Sequence, residues 1–133
     1  MQRHPRNPLI EPDQVVPSAP GYRVRGAFNP AAVRFDGEVL LLLRVAEDCP
    51  AREGRVAVPV AGIEAGVGRP EILDLSLDDP DVTMKDTRGI VYRGLDYLST
   101  MSHIRIARSR DGVSFQVDDT PFIFPGDASE CFG

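Results

Sequence analysis

Six residues of this chain have side chains and positions suited to holding a polar ligand: Asn29, Arg44, Arg52, Asp86, Arg88 and His103. Asn29 offers two amide donors and a carbonyl acceptor, a set that bonds neighbouring hydroxyls. It stands between Phe28 and Pro30, which would fix the backbone that aims it. Arg44 follows the run Leu40-Leu41-Leu42-Leu43, so a guanidinium emerges where an apolar strand ends. That fork can grip a diol, a carboxylate or a phosphate with two parallel bonds. Arg52 lies in the loop Asp48-Cys49-Pro50-Ala51-Arg52-Glu53-Gly54. Each residue also has a plainer reading. Asn29 can initiate a strand through an Asx turn, Arg44 can pair with Glu47 or Asp48, and Arg52 can be a solvated loop charge. Asp86 and Arg88 lie on one side of an extended chain and can pair with each other. His103 enters the alternation Ile104, Ile106 and can be an ordinary satisfied histidine.

Other chemistry finds little support. Glu47, Asp48, Asp79, Asp81, Asp118 and Asp119 read as turn or loop residues, so no two carboxylates stand out as an acid and base pair. Cys49 and Cys131 are far apart and outside any metal-ligand spacing; they read as reduced, idle thiols rather than as a disulfide or a Cys-His couple with His103. Gly62, Gly66 and Gly68 do not fit a dinucleotide-binding spacing and follow no helix signal. No metal and no organic cofactor is therefore expected.

The elements that must position these residues are short strands. Pro5, Pro8, Pro12, Pro17 and Pro20 leave no room for a helix, so residues 1–26 read as an extended arm. From Ala27 onward, β-branched, aromatic and Leu runs alternate with Gly, Pro and Asp. Asp36-Gly37 joins residues 31–35 to 38–46 as a type I′ hairpin, and Arg93-Gly94 joins 88–93 to 96–102. Strands at 55–60, 71–77, 103–109 and 114–118 complete two consecutive four-stranded antiparallel meanders, residues 27–80 and 81–133. In a meander, the start of the first strand, the end of the second and the start of the third share one end. Asn29, Arg44 and the loop 47–55 would meet there in the first unit, and Asp86, Arg88, Met101, Ser102 and His103 in the second. Asn29 to Gly37 and Asp86 to Gly94 open the two units alike, each a polar residue leading into a short strand and a Gly turn, at an offset near the long end for a propeller blade. A plain β-sandwich is the competing architecture.

Composition sets outer bounds. The 133 residues, 42% of them hydrophobic, are enough for one core. Fifteen Lys and Arg against 20 Asp and Glu give a net charge of -5, which removes the main driving force for binding nucleic acid. The longest apolar run, Val39 to Leu43, is far short of the roughly 20 residues a membrane-spanning helix needs. The basic N-terminus is followed by no apolar segment, so a cytoplasmic protein without a membrane partner is expected.

Four ordered segments carry a resemblance: Arg6-Asn7-Pro8; Phe28-Asn29-Pro30-Ala31-Ala32-Val33; Leu41-Leu42-Leu43-Arg44-Val45; and Ser102-His103-Ile104-Arg105-Ile106-Ala107-Arg108-Ser109-Arg110-Asp111-Gly112-Val113-Ser114-Phe115. Over nearly the whole chain these resemble glycoside hydrolase family 130, the β-mannoside phosphorylases and related mannosidases. The resemblance implies an all-β fold comprising the first two blades of a five-bladed β-propeller. It also implies a β-mannoside oligosaccharide as partner, cleaved with inversion by phosphorolysis or hydrolysis, with inorganic phosphate as co-substrate in the first case. The matching Asn29 and Arg44 would contact the mannosyl unit beside the scissile bond. Arg52 stands near the place of a phosphate-contacting arginine, but Ala46 and Cys49-Pro50-Ala51 alter the spacing. The family's general acid follows a segment like Ser129-Glu130-Cys131-Phe132-Gly133, which places it beyond Gly133 and makes the chain a catalytically silent N-terminal portion. Two open blades would leave apolar faces free for self-association. A non-catalytic carbohydrate-binding module is the alternative function.

Overall fold

A computed structural model describes residues 4–86, 88–127 and 130. Among the described residues nine strands follow in chain order: β1 Arg23–Phe35, β2 Glu38–Asp48, β3 Arg55–Glu64, β4 Val67–Ser76, β5 Val82–Asp86, β6 Gly89–Tyr92, β7 Leu95–Leu98, β8 Thr100–Ser109 and β9 Gln116–Val117. Among the described residues the one helical element is a 3-10 turn, Pro12–Gln14, and no helix is long and apolar enough to cross a membrane. All strand pairs are antiparallel.

The turns follow from local backbone chemistry. Asp36 and Gly37 have φ of 48° and 77°, and Arg93 and Gly94 have 50° and 78°, the double positive φ that a type I′ hairpin demands. Ala65 and Gly66 form a third such turn, with φ of 52° and 79°, although alanine is poorly suited to that region. The motif Ser109-Arg110-Asp111-Gly112 is also turn chemistry. Asp111 Oδ1 accepts bonds from the Ser109 hydroxyl and from the N–H groups of Val113 and Ser114, which hold its carboxyl well below the usual carboxylate range.

The strands do not pair as two consecutive meanders. One four-stranded sheet has the order β1-β2-β8-β9, while β3-β4 and β5-β6-β7 form two smaller sheets. Strand β2 pairs with β8 from Val39 opposite Ser109 to Asp48 opposite Thr100. The main sheet therefore draws on both expected units, and residues 50–99 are an excursion between its second and third strands. The physical reason is the continuity of β8 and the local closure of the β3-β4 hairpin. The chain breaks at Ser99 rather than between Ser102 and His103, so β8 runs uninterrupted for 10 residues and matches the 11 of β2. Strand β3, also 10 residues long, is paired from Arg55 opposite Ser76 to Glu64 opposite Val67 with β4, so its ladder partner is the local hairpin and not β2.

Three apolar clusters hold the sheets together. Val15 of the arm packs on Leu43 and Val45, with Ile10, Val24, Ala27 and Val117 around them. Tyr22, Cys49, Ala61 and Met101 join the main sheet to the β3-β4 hairpin, and the Tyr22 hydroxyl donates to Glu71 O at 2.6 Å. Val58, Leu75 and Ile90 join that hairpin to β5-β6-β7. The hairpin also meets the chain at Pro125 so closely that a Cβ on Gly68 would lie 1.9 Å from the Pro125 carbonyl oxygen, so only glycine fits there.

Candidate functional site

The pleat of β2 and β8 sorts the candidate residues onto two faces. Arg44 lies opposite Ile104, and Val45 lies opposite His103. Arg44 therefore shares one face with Ile104 and with Ser102 two residues away, while His103 and Arg105 share the other with Val45 and Glu47.

At the edge of the first face, Asn29 follows Phe28, the residue paired with Arg44. Phe28 pairs with Arg44, and Ala31 with Leu42, so Asn29 and Pro30 are a bulge against the single residue Leu43. Asn29 is exposed and has φ of 47°, a left-handed conformation that asparagine tolerates better than most residues. A bulge of this kind re-aims a side chain out of the ladder. Arg44 is half-buried. Its Nε and Nη2 donate to Ser102 Oγ at 3.1 and 2.9 Å, and its Cζ lies 5.6 Å from the centre of the Phe28 ring. The ion pair with Glu47 or Asp48 is not formed. Asp48 instead engages Arg23 at 2.8 Å and Arg25 at 3.5 Å.

The second face is a buried polar chain. Glu47, read from sequence as a loop residue, is completely enclosed within β2; it accepts from Ser18 N at 2.8 Å and from the Ser18 hydroxyl. His103 is also completely enclosed, because it sits in the middle of β8 rather than at a strand start. Its Nε2 accepts from Arg105 Nε at 3.0 Å, which leaves the proton on Nδ1, 3.5 Å from Glu47 Oε2. Burial and the Arg105 charge lower the His103 pKa to about 4, so the ring is neutral near pH 7. Arg105 Nη1 donates to the carbonyls of Asp118 and Asp119 at 3.1 and 2.8 Å. This network ties arm, sheet and following loop together, and it presents His103 to no open surface.

The other candidates lie elsewhere. Arg52 is exposed and 3.8 Å from Asp74, which Arg55 holds at 2.7 Å. Asp86 accepts from Arg88 Nη2 at 2.9 Å and from its N–H at 2.6 Å, and those bonds lower its pKa. Their corner adjoins the entry to β8, since Ser99 N donates to Arg88 O at 2.8 Å. Cys49 is buried and its thiol is pushed up to about 11, chiefly by burial, which makes it a poor nucleophile. Cys131, with the rest of the segment 129–133 except Glu130, lies outside the described residues. Among the described residues no three His, Cys, Asp or Glu side chains gather in a way that could hold a metal ion. Two partners escaped sequence reasoning. Ser102 was legible only as a polar residue near a strand start, and Glu47 only as a charge beside Asp48.

Comparison with known proteins places this arrangement. No protein-family model matches the chain. The beta-1,2-mannobiose phosphorylase of Listeria innocua is 41% identical over 135 aligned positions, which cover 98% of this chain and 38% of that protein. The solved structure of beta-1,2-mannobiose phosphorylase from Listeria innocua in its beta-1,2-mannobiose complex superimposes with a TM-score of 0.74 at 40% identity, covering 94% of this chain and 36% of that one. The chain belongs to glycoside hydrolase family 130, as its motifs imply, and it spans a little over a third of the length of the relative it matches.

Proposed function

We propose that this chain forms part of the sugar-binding mouth of a β-mannoside phosphorylase, a longer protein in which Asn29 and Arg44 hold the mannosyl unit beside the scissile bond. The observation that supports this reading is the corner at which the Phe28–Ala31 bulge exposes Asn29 next to Phe28, the residue paired with the half-buried Arg44. The 41% identity to a beta-1,2-mannobiose phosphorylase supplies the substrate class. An exposed amide and a guanidinium with no carboxylate partner among the described residues suit a ligand of adjacent hydroxyls, with each good bond worth roughly 1.5–3 kcal/mol when one partner is charged.

In phosphorolysis with inversion, a phosphate oxygen attacks the anomeric carbon as the glycosidic C–O bond breaks. A general acid protonates the departing oxygen. The residues of this chain would bind and orient the sugar; the acid is assigned beyond Gly133. Arg52, Asp86 and Arg88 sit at the periphery of this reading, and their ion pairs would have to open before they could meet a ligand.

The test is turnover by the product of the complete gene. With β-1,2-mannobiose and inorganic phosphate, mannose 1-phosphate should form, and Arg44→Ala should lower kcat/KM at least tenfold. Free mannose released without phosphate dependence would replace phosphorylase by mannosidase. Binding without turnover would favour the carbohydrate-binding module.

A further inference from the structure

Arg44 is held by a neutral partner. Ser102 Oγ takes both Nε and Nη2 of its guanidinium, at 3.1 and 2.9 Å, and the Phe28 ring stands beside it at 5.6 Å. Ser102 is itself fixed. Only 4% of it is exposed, and it lies in the β2-β8 ladder opposite Ala46, on the same face as Ile104, the residue paired with Arg44. An arginine on an open sheet face would otherwise sample many rotamers and lose them on binding. The carboxylates next to it in sequence are spoken for: Asp48 is held by Arg23 and Arg25, and Glu47 points to the opposite face and is bound by Ser18.

A carboxylate partner would fix the guanidinium and also neutralise it. A hydroxyl fixes it and leaves the full charge available. Two donors on one oxygen also set the plane of the fork, which determines where Nη1 points; no described residue bonds Nη1. We infer that Ser102 is a positioning residue that pre-orients Arg44 toward the mannosyl unit, a role that rests on the function proposed above. Ser102 contacts the sugar only through Arg44.

The experiment compares Ser102→Ala, Ser102→Thr, Arg44→Ala and the double variant in the full-length protein, with β-1,2-mannobiose and inorganic phosphate as probes. Ser102→Ala should raise KM about tenfold with kcat within about twofold, because an oriented binding contact serves ground state and transition state alike. Ser102→Thr keeps the hydroxyl and should stay within about threefold of wild type, while the double variant should match Arg44→Ala, since the two residues act as one unit. A crystal structure of Ser102→Ala should show the Arg44 guanidinium displaced from its place beside Phe28. An unmoved guanidinium, or a Ser102→Ala effect that adds in full to that of Arg44→Ala, overturns the inference. If Arg44→Ala leaves kcat/KM unchanged, the mannosyl site itself is wrong and the role of Ser102 falls with it. If Arg44→Ala is impaired and Ser102→Ala is not, the positioning role alone is wrong.

Discussion

Arg44 and His103 stand one register step apart on paired strands, yet they face opposite sides of the sheet. Arg44 is opposite Ile104, and His103 is opposite Val45. The pleat sends one side chain to the open face beside Phe28 and the other into the enclosed chain of Glu47 and Arg105. Their roles differ accordingly.

On the open face, Asn29 carries both a backbone constraint and an amide. Asn29→Gly keeps the φ of 47° without strain and removes only the side chain. It should leave the melting temperature within about two degrees of wild type while lowering kcat/KM at least tenfold. Asn29→Ala should lose activity similarly and cost about 1 kcal/mol of stability as well, because alanine disfavours that region. Equal activity in wild type and Asn29→Gly would reduce Asn29 to a bulge former.

On the enclosed face, Glu47 anchors the arm through Ser18 N and its hydroxyl. Glu47→Ala leaves the Ser18 donors without their acceptor and the buried Arg105 without the Glu47 charge that offsets its burial, which should cost about 3–5 kcal/mol. Urea denaturation should show the lowered midpoint. Limited proteolysis should cut residues 12–20 sooner than in wild type. A variant as stable as wild type would mean that the arm docks through Val15 alone.

The neutral His103 makes stability depend on pH in a defined window. An unfolded histidine takes up a proton near pH 6.5, whereas in the folded chain His103 does so only near pH 4. Between those values the unfolded state binds more protons, so stability should fall by on the order of 2–3 kcal/mol as pH drops from 6.5 to 4 and stay level above 6.5. Asp86 and Asp111, whose pKa values are lowered, withdraw their stabilisation only below about pH 4, outside this window. Unfolding midpoints measured from pH 7.5 to 4.5 should slope in wild type and flatten in His103→Gln. A wild-type midpoint that does not move would place the protonated ring comfortably in the fold.

The turn at Ala65-Gly66 is mismatched to its backbone, since Ala65 has φ of 52° in a type I′ hairpin. Ala65→Asn should stabilise the chain by roughly 0.5–1 kcal/mol, because asparagine tolerates the left-handed region. Thermal melts check this. A neutral or lowered melting temperature would show that the turn relaxes its own strain.

The apolar runs, the prolines of the arm and the Asp36-Gly37 and Arg93-Gly94 turns determined by themselves an antiparallel all-β chain, because period-two patterns and positive-φ turns are local properties. The ordered motifs determined the family. They also set Asn29 and Arg44 near one another along the β1-β2 hairpin, whose two-residue turn fixes the register as far as Ala31 opposite Leu42, before the bulge puts Phe28 opposite Arg44. Only the tertiary structure decided that β2 pairs with β8, across an excursion that separates Asp48 from Thr100. Alternation says that a strand has two faces, but it does not say which neighbour lies along its edge. For that reason the sequence could not place His103 and Glu47 inside or join Ser102 to Arg44. Those relationships are set by one long-range register, and a shift of a single residue would have exchanged the two faces.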